Sequence, residues 1–458
     1  MPVPSPMYFI YSLLLSLAFL ILLPRFLFDA FRHGKYVAGF RERLGQLTPI
    51  ESDGRPVIWI HCVSVGETRA AQPLVQGIKQ RFPNHAIAIS TITLTGQTLA
   101  RQIFKDEAKV FYFPFDWRWV TRRTLTAINP AIVLLMETEL WPGFLRECDA
   151  QHIPVAIVNG RLSELSFRRY RVIKTFMSRV LNSLSLAIMQ TDSDAARLNQ
   201  LGMDADKTHV SGNMKFDAGT APVNDSLAAE FRERFNLSDD TPLILAASTH
   251  APEEPIILSA LRQITSTSAS KPRLMIAPRH PERFSEVADL LKSSGLRWTR
   301  RTAPEDSSDN QAEVILLDTI GELRSAYALA SIVVVGGSMA KTGGHNILEP
   351  AAIGGAVITG PHTYNFKEVV EEFVDAGAII QLRPMSHSAT IIELGTLFSD
   401  LLADPRRRKE LGERARTLVN QNRGATARTL DLLSSVLPGS AYNLEQTTPF
   451  SIQNALIP

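Results

Sequence analysis

The segment richest in possible chemistry is Gly336-Gly337-Ser338-Met339-Ala340-Lys341-Thr342-Gly343-Gly344-His345-Asn346-Ile347-Leu348-Glu349-Pro350. It follows the apolar run Ser331 to Val335 and precedes Ala351-Ala352-Ile353, so it reads as strand, glycine-rich turn and helix start. Glycines let a backbone approach a ligand closely, and free N–H groups at a helix start attract anions. A phosphate is the expected guest. Asn346 and Glu349 stand three apart, on one helix face, where they could hold a sugar hydroxyl. The segment is not a P-loop: Ala340 stands where the second glycine should be, and Lys341 precedes the glycine pair that opens the helix.

Carboxylates form the second set. Ser64 and Glu67 have the spacing of a helix capping box, in which Glu67 is structural. Placed just after a strand, Glu67 is equally a candidate general base. Glu137 and Glu139 follow another apolar run. One is expected to face a ligand and the other to cap a helix, since alternate strand residues face opposite sides and burial without partners is costly. Asn159 to Ser163 is a further polar loop at a strand end. Lys215, in Gly212 to Asp217, is either a solvated surface lysine or a phosphate clamp. Arg279, after Pro278, could grip a phosphate with two hydrogen bonds. Gly360 to Phe366 is a turn or a lid segment. His280 and His345 lack the companions of a zinc site, so no metal is expected.

Short β-branched runs must position these residues. They recur at 57–60, 86–89, 110–113, 132–135, 155–158 and 186–189, then at 243–246, 273–276, 314–317, 332–335, 356–358 and 378–380. Helical patterns separate them. Continuous apolar strands between helices indicate parallel sheets covered on both faces. Two such blocks predict an α/β chain of two doubly wound domains, with the ligand at the strands' carboxyl ends in the cleft between them. The expected division is 1–35, a membrane anchor and basic flank; 36–220, an N-terminal acceptor-binding domain; 221–241, a linker; 242–436, a nucleotide-sugar domain; and 437–458, a mobile tail.

The 458 residues carry a net charge of +2, which argues against a nucleic acid partner. Two cysteines, Cys62 and Cys148, cannot make a disulfide framework. Met7 to Leu23 is uncharged and almost wholly apolar, about the minimum length of a membrane span. Basic Arg25, Arg32, Lys35, Arg41 and Arg43 follow it, which places the body in the cytoplasm by the positive-inside rule.

Taken together, seven ordered motifs resemble the 3-deoxy-D-manno-octulosonic acid (Kdo) transferases of lipopolysaccharide assembly. They are Ser64–Glu67, Met136–Pro142, Asn159–Ser163, Gly212–Asp217, Ala277–Phe284, Gly336–Pro350 and Gly360–Phe366. The resemblance implies a GT-B glycosyltransferase of the inner membrane, with CMP-Kdo as donor and a lipid A precursor as acceptor. It implies inversion at the anomeric carbon and no metal or cofactor. It implies Glu67 as proton acceptor, and Glu137 and Lys215 as transition-state stabilisers. Pro278, Arg279, Ile320, Gly321, Glu322, Asn346, Ile347, Leu348 and Glu349 match its CMP-binding positions. The element after the basic flank, Arg41 to Pro49, departs from the family pattern. The competing readings are another GT-B nucleotide-sugar enzyme and a catalytically silent, membrane-tethered binding protein of the same fold.

Overall fold

The computed structural model describes residues 6–33, 39–50, 52–219, 223–238, 241–267 and 271–437. The expected tail beyond Leu437, Lys35 of the basic flank and the side chains of Arg25 and Arg32 lie outside the described residues.

Among the described residues, two seven-stranded sheets are built entirely of parallel pairs. The first contains β1 (Val57–Cys62), β2 (Ala86–Thr91), β3 (Lys109–Tyr112), β4 (Pro130–Met136), β5 (Val155–Gly160), β6 (Leu186–Met189) and β7 (Thr208–Val210). The second contains β8 (Leu243–Thr249), β9 (Arg273–Pro278), β10 (Trp298–Arg300), β11 (Val314–Leu316), β12 (Ala330–Val335), β13 (Ala356–Thr359) and β14 (Ile380–Gln381). Their orders are β3-β2-β1-β4-β5-β6-β7 and β10-β11-β9-β8-β12-β13-β14. In each sheet the direction of winding reverses, between β1 and β4 in the first and between β8 and β12 in the second. That reversal is where doubly wound sheets bind ligands, just beyond the strand ends.

The strands are unbroken apolar runs because both faces are covered. In the first sheet, Trp59, Val133, Leu135 and Ile157 enter one apolar layer, while Ile58, Ile60, Leu134 and Val158 enter the other. The second sheet repeats the division with Leu245, Met275 and Val333 against Ile244, Ile276 and Val334. The two strands absent from the sequence expectation, β7 and β10, are three-residue strands at sheet edges. Thr208-His209-Val210 and Trp298-Thr299-Arg300 are only part-buried or exposed and need no apolar run.

Contacts divide the chain into one unit of residues 1–214 and 424–458 and a second unit of 215–423. Two boundaries therefore differ from the expected ones. The segment expected to be a linker holds a helix, Asp225–Arg234, capped by Asn224, and its Phe231 is fully buried in the second unit's core. The end of the expected second domain returns to the first unit. There Ala425, Leu430 and Leu433 bury against the layer containing Ala70, Leu74 and Ile78. Gly77 makes room for this return: a Cβ there would lie 2.5 Å from Leu430 Cδ1.

The N-terminal helix spans Pro6–His33. Its stretch Met7–Pro24 has mean hydropathy 2.2 and is long enough to cross a membrane. Met7, Tyr8 and Tyr11 nevertheless pack against the first unit's apolar core.

Candidate active site

Each switch point gathers residues that the sequence picks out. In the first unit, β1 leads into the helix Val65–Arg81, with Ser64 as its N-cap. A variant of the expected capping box forms, in which the carboxylate returns to the backbone N–H of Val63 rather than that of Ser64. Ser64 Oγ accepts from Glu67 N at 3.4 Å and donates to Glu67 Oε1 at 2.9 Å, while Val63 N donates to Oε2 at 2.7 Å. These donors are neutral and the side chain is buried. Burial, then the negative charge of Glu137 and a weaker contribution from Glu139, push the Glu67 carboxyl up to about 8. The same two causes, burial and Glu137, raise Glu139 to about 7. His61, one strand residue before Cys62, brings no balancing charge. It is fully buried, stacked on Phe113 at 3.9 Å, and desolvation lowers it to about 3, so the ring is neutral.

Across the switch, Glu137 follows β4 with φ 56°. A non-glycine residue in that left-handed region is strained, and such strain concentrates at functional sites. Glu137 N donates to Val158 O at 3.0 Å, so the conformation is held by the β5 end. The β5 end is braced in turn: Arg161 N donates to Thr138 Oγ1 at 2.9 Å, and Asn159 Oδ1 accepts from Met214 N at 2.9 Å.

In the second unit, β8 and β12 flank the switch. Glu253, fully buried after β8, accepts from the backbone N–H groups of Gly337, Ser338, Met339 and Ala340 at 2.8–3.0 Å, and from His250 N at 2.9 Å. This differs from the expected phosphate cradle. The amides at the start of the glycine-rich turn are already satisfied by the chain's own carboxylate. The sequence reading did not single out Glu253. Its signal was two adjacent acids, Glu253-Glu254, just beyond a strand, and both are fully buried. Glu254 is neutralised by Arg283, at 2.6 and 3.2 Å.

The glycine turn needs its glycines. Gly337 has φ 67°, and a Cβ there would meet the His345 ring at 2.8 Å. His345 Nε2 lies 2.8 Å from His250 Nε2, so one proton serves both rings. The Gly360–Phe366 loop supports the turn rather than hanging free: Tyr364 Oη donates to Lys341 O, and Asn365 Nδ2 to Thr342 O.

The other expected residues fall at strand ends of the second unit. Pro278 ends β9, and Arg279 N is pinned to Thr249 O at 3.0 Å while its side chain is exposed. Ile320 is 70% exposed and Gly321 has φ 91°. The Glu322 carboxylate is held by Arg301 at 3.0 and 3.2 Å and by Thr319 Oγ1 at 2.5 Å. Asn346 precedes the helix Leu348–Ile353 rather than lying on it. Its Oδ1 accepts from Leu348 N at 3.0 Å, and its Nδ2 donates to Glu349 Oε1 at 3.1 Å. Ile347 and Leu348 are buried beneath the pair. Lys215 Nζ stands 4.0 Å from the Glu368 carboxylate.

The chain is similar to known proteins. The family model described as 3-deoxy-D-manno-octulosonic-acid transferase (kdotransferase) matches residues 38–218. The 3-deoxy-D-manno-octulosonic acid transferase of Haemophilus influenzae is 37% identical over 83% of this chain and 87% of its own. That of Bordetella pertussis is 36% identical over the same shares. Among solved structures, MurG of Acinetobacter baumannii has a TM-score of 0.51 at 12% identity, over 83% of this chain and 99% of that one, a likeness of fold alone. The carboxylate-lined first switch point, the glycine turn of the second and the near full-length relatives converge: the chain belongs to the Kdo transferase family, a glycosyltransferase of GT-B fold.

Proposed function

We propose that this chain transfers Kdo from CMP-Kdo to a lipid A precursor, with inversion at the anomeric carbon, at the cytoplasmic face of the inner membrane. The observation that carries the reading is Glu67: a carboxylate at the first switch point whose proton affinity is raised toward neutrality by burial and by Glu137. A base works best with a pKa near the operating pH.

In this reading the acceptor's primary hydroxyl attacks the anomeric carbon of Kdo and gives its proton to Glu67. The new C–O bond forms on the face opposite the departing phosphate, the bond from that carbon to the CMP oxygen breaks, and CMP leaves with the electron pair. The leaving group is already an anion, so it needs electrostatic stabilisation rather than a strong acid. Arg279, with its main chain fixed and side chain exposed, takes the phosphate. Lys215 and Glu137 act on the charge that develops in the transition state. Main chain at Ile320, Gly321 and Glu322, together with the Asn346–Glu349 pair and neighbouring Ile347 and Leu348, receives the cytidine portion beside Pro278. An acyl-chained acceptor resides in a membrane, which fits the apolar N-terminal helix.

The test is a transfer assay with the purified full chain, CMP-Kdo made in situ and a tetraacylated lipid A precursor in detergent, read by mass. A product heavier by whole Kdo units supports donor and acceptor together. A folded protein that binds CMP and yields no product removes this acceptor. A folded protein that does not bind CMP removes the donor.

A further inference from the structure

We propose that the N-terminal helix lies in the plane of the membrane surface, docked along the first unit, and does not cross the bilayer. The inference rests on the membrane location proposed above and deepens it.

One face of the helix is committed to the protein. Tyr8 meets Phe176 edge to face at 5.4 Å, under the guanidinium of Arg146 at 4.7 Å. Tyr11 Oη donates to Asp116 Oδ2 at 2.7 Å. Ser16 Oγ accepts from Trp117 Nε1 at 3.1 Å, and Phe19 packs on Phe115 and Trp117 at 5.7 and 5.0 Å. The docked stretch from Tyr8 to Phe19 is about 16 Å long at 1.5 Å per residue. That is roughly half of a hydrocarbon core about 30 Å thick.

A docked helix standing across the bilayer would take its partners with it. Arg146 and Asp116 would enter hydrocarbon, at a cost of several kcal/mol. Asp116 also cannot be released: it accepts from Gly143 N at 2.9 Å and Phe144 N at 2.5 Å, the first amides of the helix Pro142–Ala150. A helix that left the body to cross alone would carry the Tyr11 hydroxyl into hydrocarbon without its acceptor. It would also uncover Phe115, Trp117 and Phe176. Lying flat satisfies both faces. The opposite face presents Phe9, Leu13, Leu14, Leu17, Leu20 and Ile21, each more than half exposed and with no charge among them. The acyl layer of one leaflet is the matching partner. Beyond docked Trp117, Arg118 and Arg122 share the carboxylate of Glu147 at 3.2 and 3.8 Å, so two 68% exposed cations face one buried anion and leave a surplus positive charge for the phosphates of anionic lipid head groups.

The two geometries put the start of the helix, at Pro6, on different sides of the membrane. Ser5→Cys and, as a body marker, Thr175→Cys are made separately in the full chain, where native Cys62 and Cys148 are buried. Each is treated with a membrane-impermeant maleimide in spheroplasts and in inside-out vesicles. The proposal expects both to react only in inside-out vesicles. Reaction of Ser5→Cys in spheroplasts, with Thr175→Cys protected there, overturns the flat helix and leaves the membrane location standing. Recovery of both variants in the soluble fraction after lysis overturns both.

Discussion

The two switch points use carboxylates in opposite ways. At the first, Glu67 is held by neutral donors and its nearest charged influences are other carboxylates, so its proton is retained toward neutral pH. At the second, the buried acids that follow β8 have strong donors, five backbone N–H groups for Glu253 and Arg283 for Glu254, and the part-buried Glu322 is held by Arg301. Crowding like charges in a dry site adds to the rise in proton affinity that burial causes, whereas N–H donors around a carboxylate work against that rise, although burial still leaves Glu253 raised. The same residue type thus sits among like charges in one unit and among hydrogen-bond donors in the other. Strand topology places both.

The sharpest way to break this contrast is to remove the proton acceptor alone. Glu67→Gln keeps the shape and one acceptor oxygen, and turnover is expected to fall about 10²–10⁴-fold, the usual worth of a general base. CMP affinity should stay unchanged by calorimetry. Turnover within tenfold of the parent enzyme ends the assignment of Glu67 as base. In the second unit the expected loss is of stability. Glu253→Gln turns an acceptor oxygen into an NH₂ facing backbone N–H groups, leaving buried donors unsatisfied at about 1–3 kcal/mol each. Thermal unfolding should shift down by several degrees, and CMP binding should weaken with it. An unchanged melting temperature would show that the five hydrogen bonds are not what orders the turn.

Acidity sharpens the comparison further. A base must be deprotonated, so kcat/KM should rise about tenfold per pH unit below the apparent pKa and level off near pH 8. Glu139, raised to about 7, titrates in the same range, so the profile reports Glu67 and Glu139 together. A flat profile between pH 6 and 8 is incompatible with that titration. The smallest effect concerns stability. With its folded pKa raised above the unfolded one, the Glu67 carboxyl binds more proton in the native state. Stability therefore falls as pH rises from about 4.5 to about 8. Glu67→Gln removes that loss. The variant should melt a few degrees above the parent at pH 8 and level with it at pH 4.5. The same difference at both pH values would assign it to packing instead.

Much of this was readable in advance. Twelve of the fourteen strands announce themselves as β-branched runs because a parallel sheet buried on both faces leaves no room for polar alternation. Ser64 and Glu67 announced their capping box by spacing alone. The glycine turn after β12 was legible as an anion cradle, yet its occupant was not. The carboxylate that fills it arrives from Glu253, 84 residues before Gly337, and such pairing depends on which strands become neighbours. The helix Asp225–Arg234 looked like linker because Asn224 and Asp225 are turn formers, and the same residues make a good helix start. The return of Leu430 to Gly77 is invisible for a related reason: a missing side chain carries no signal until its neighbour is known.

Asp116 carries one more consequence. A single buried carboxylate joins the tyrosine of the N-terminal helix to the first amides of Pro142–Ala150, and that helix begins directly after Glu137 to Trp141. The linkage is short and mechanical. Truncation of the N-terminal helix thus also removes a hydrogen-bond partner from the carboxylate that fastens the end of the loop carrying Glu137. Enzyme truncated of its apolar N-terminal helix is therefore a different instrument from the full chain, even where the rest of its fold is intact.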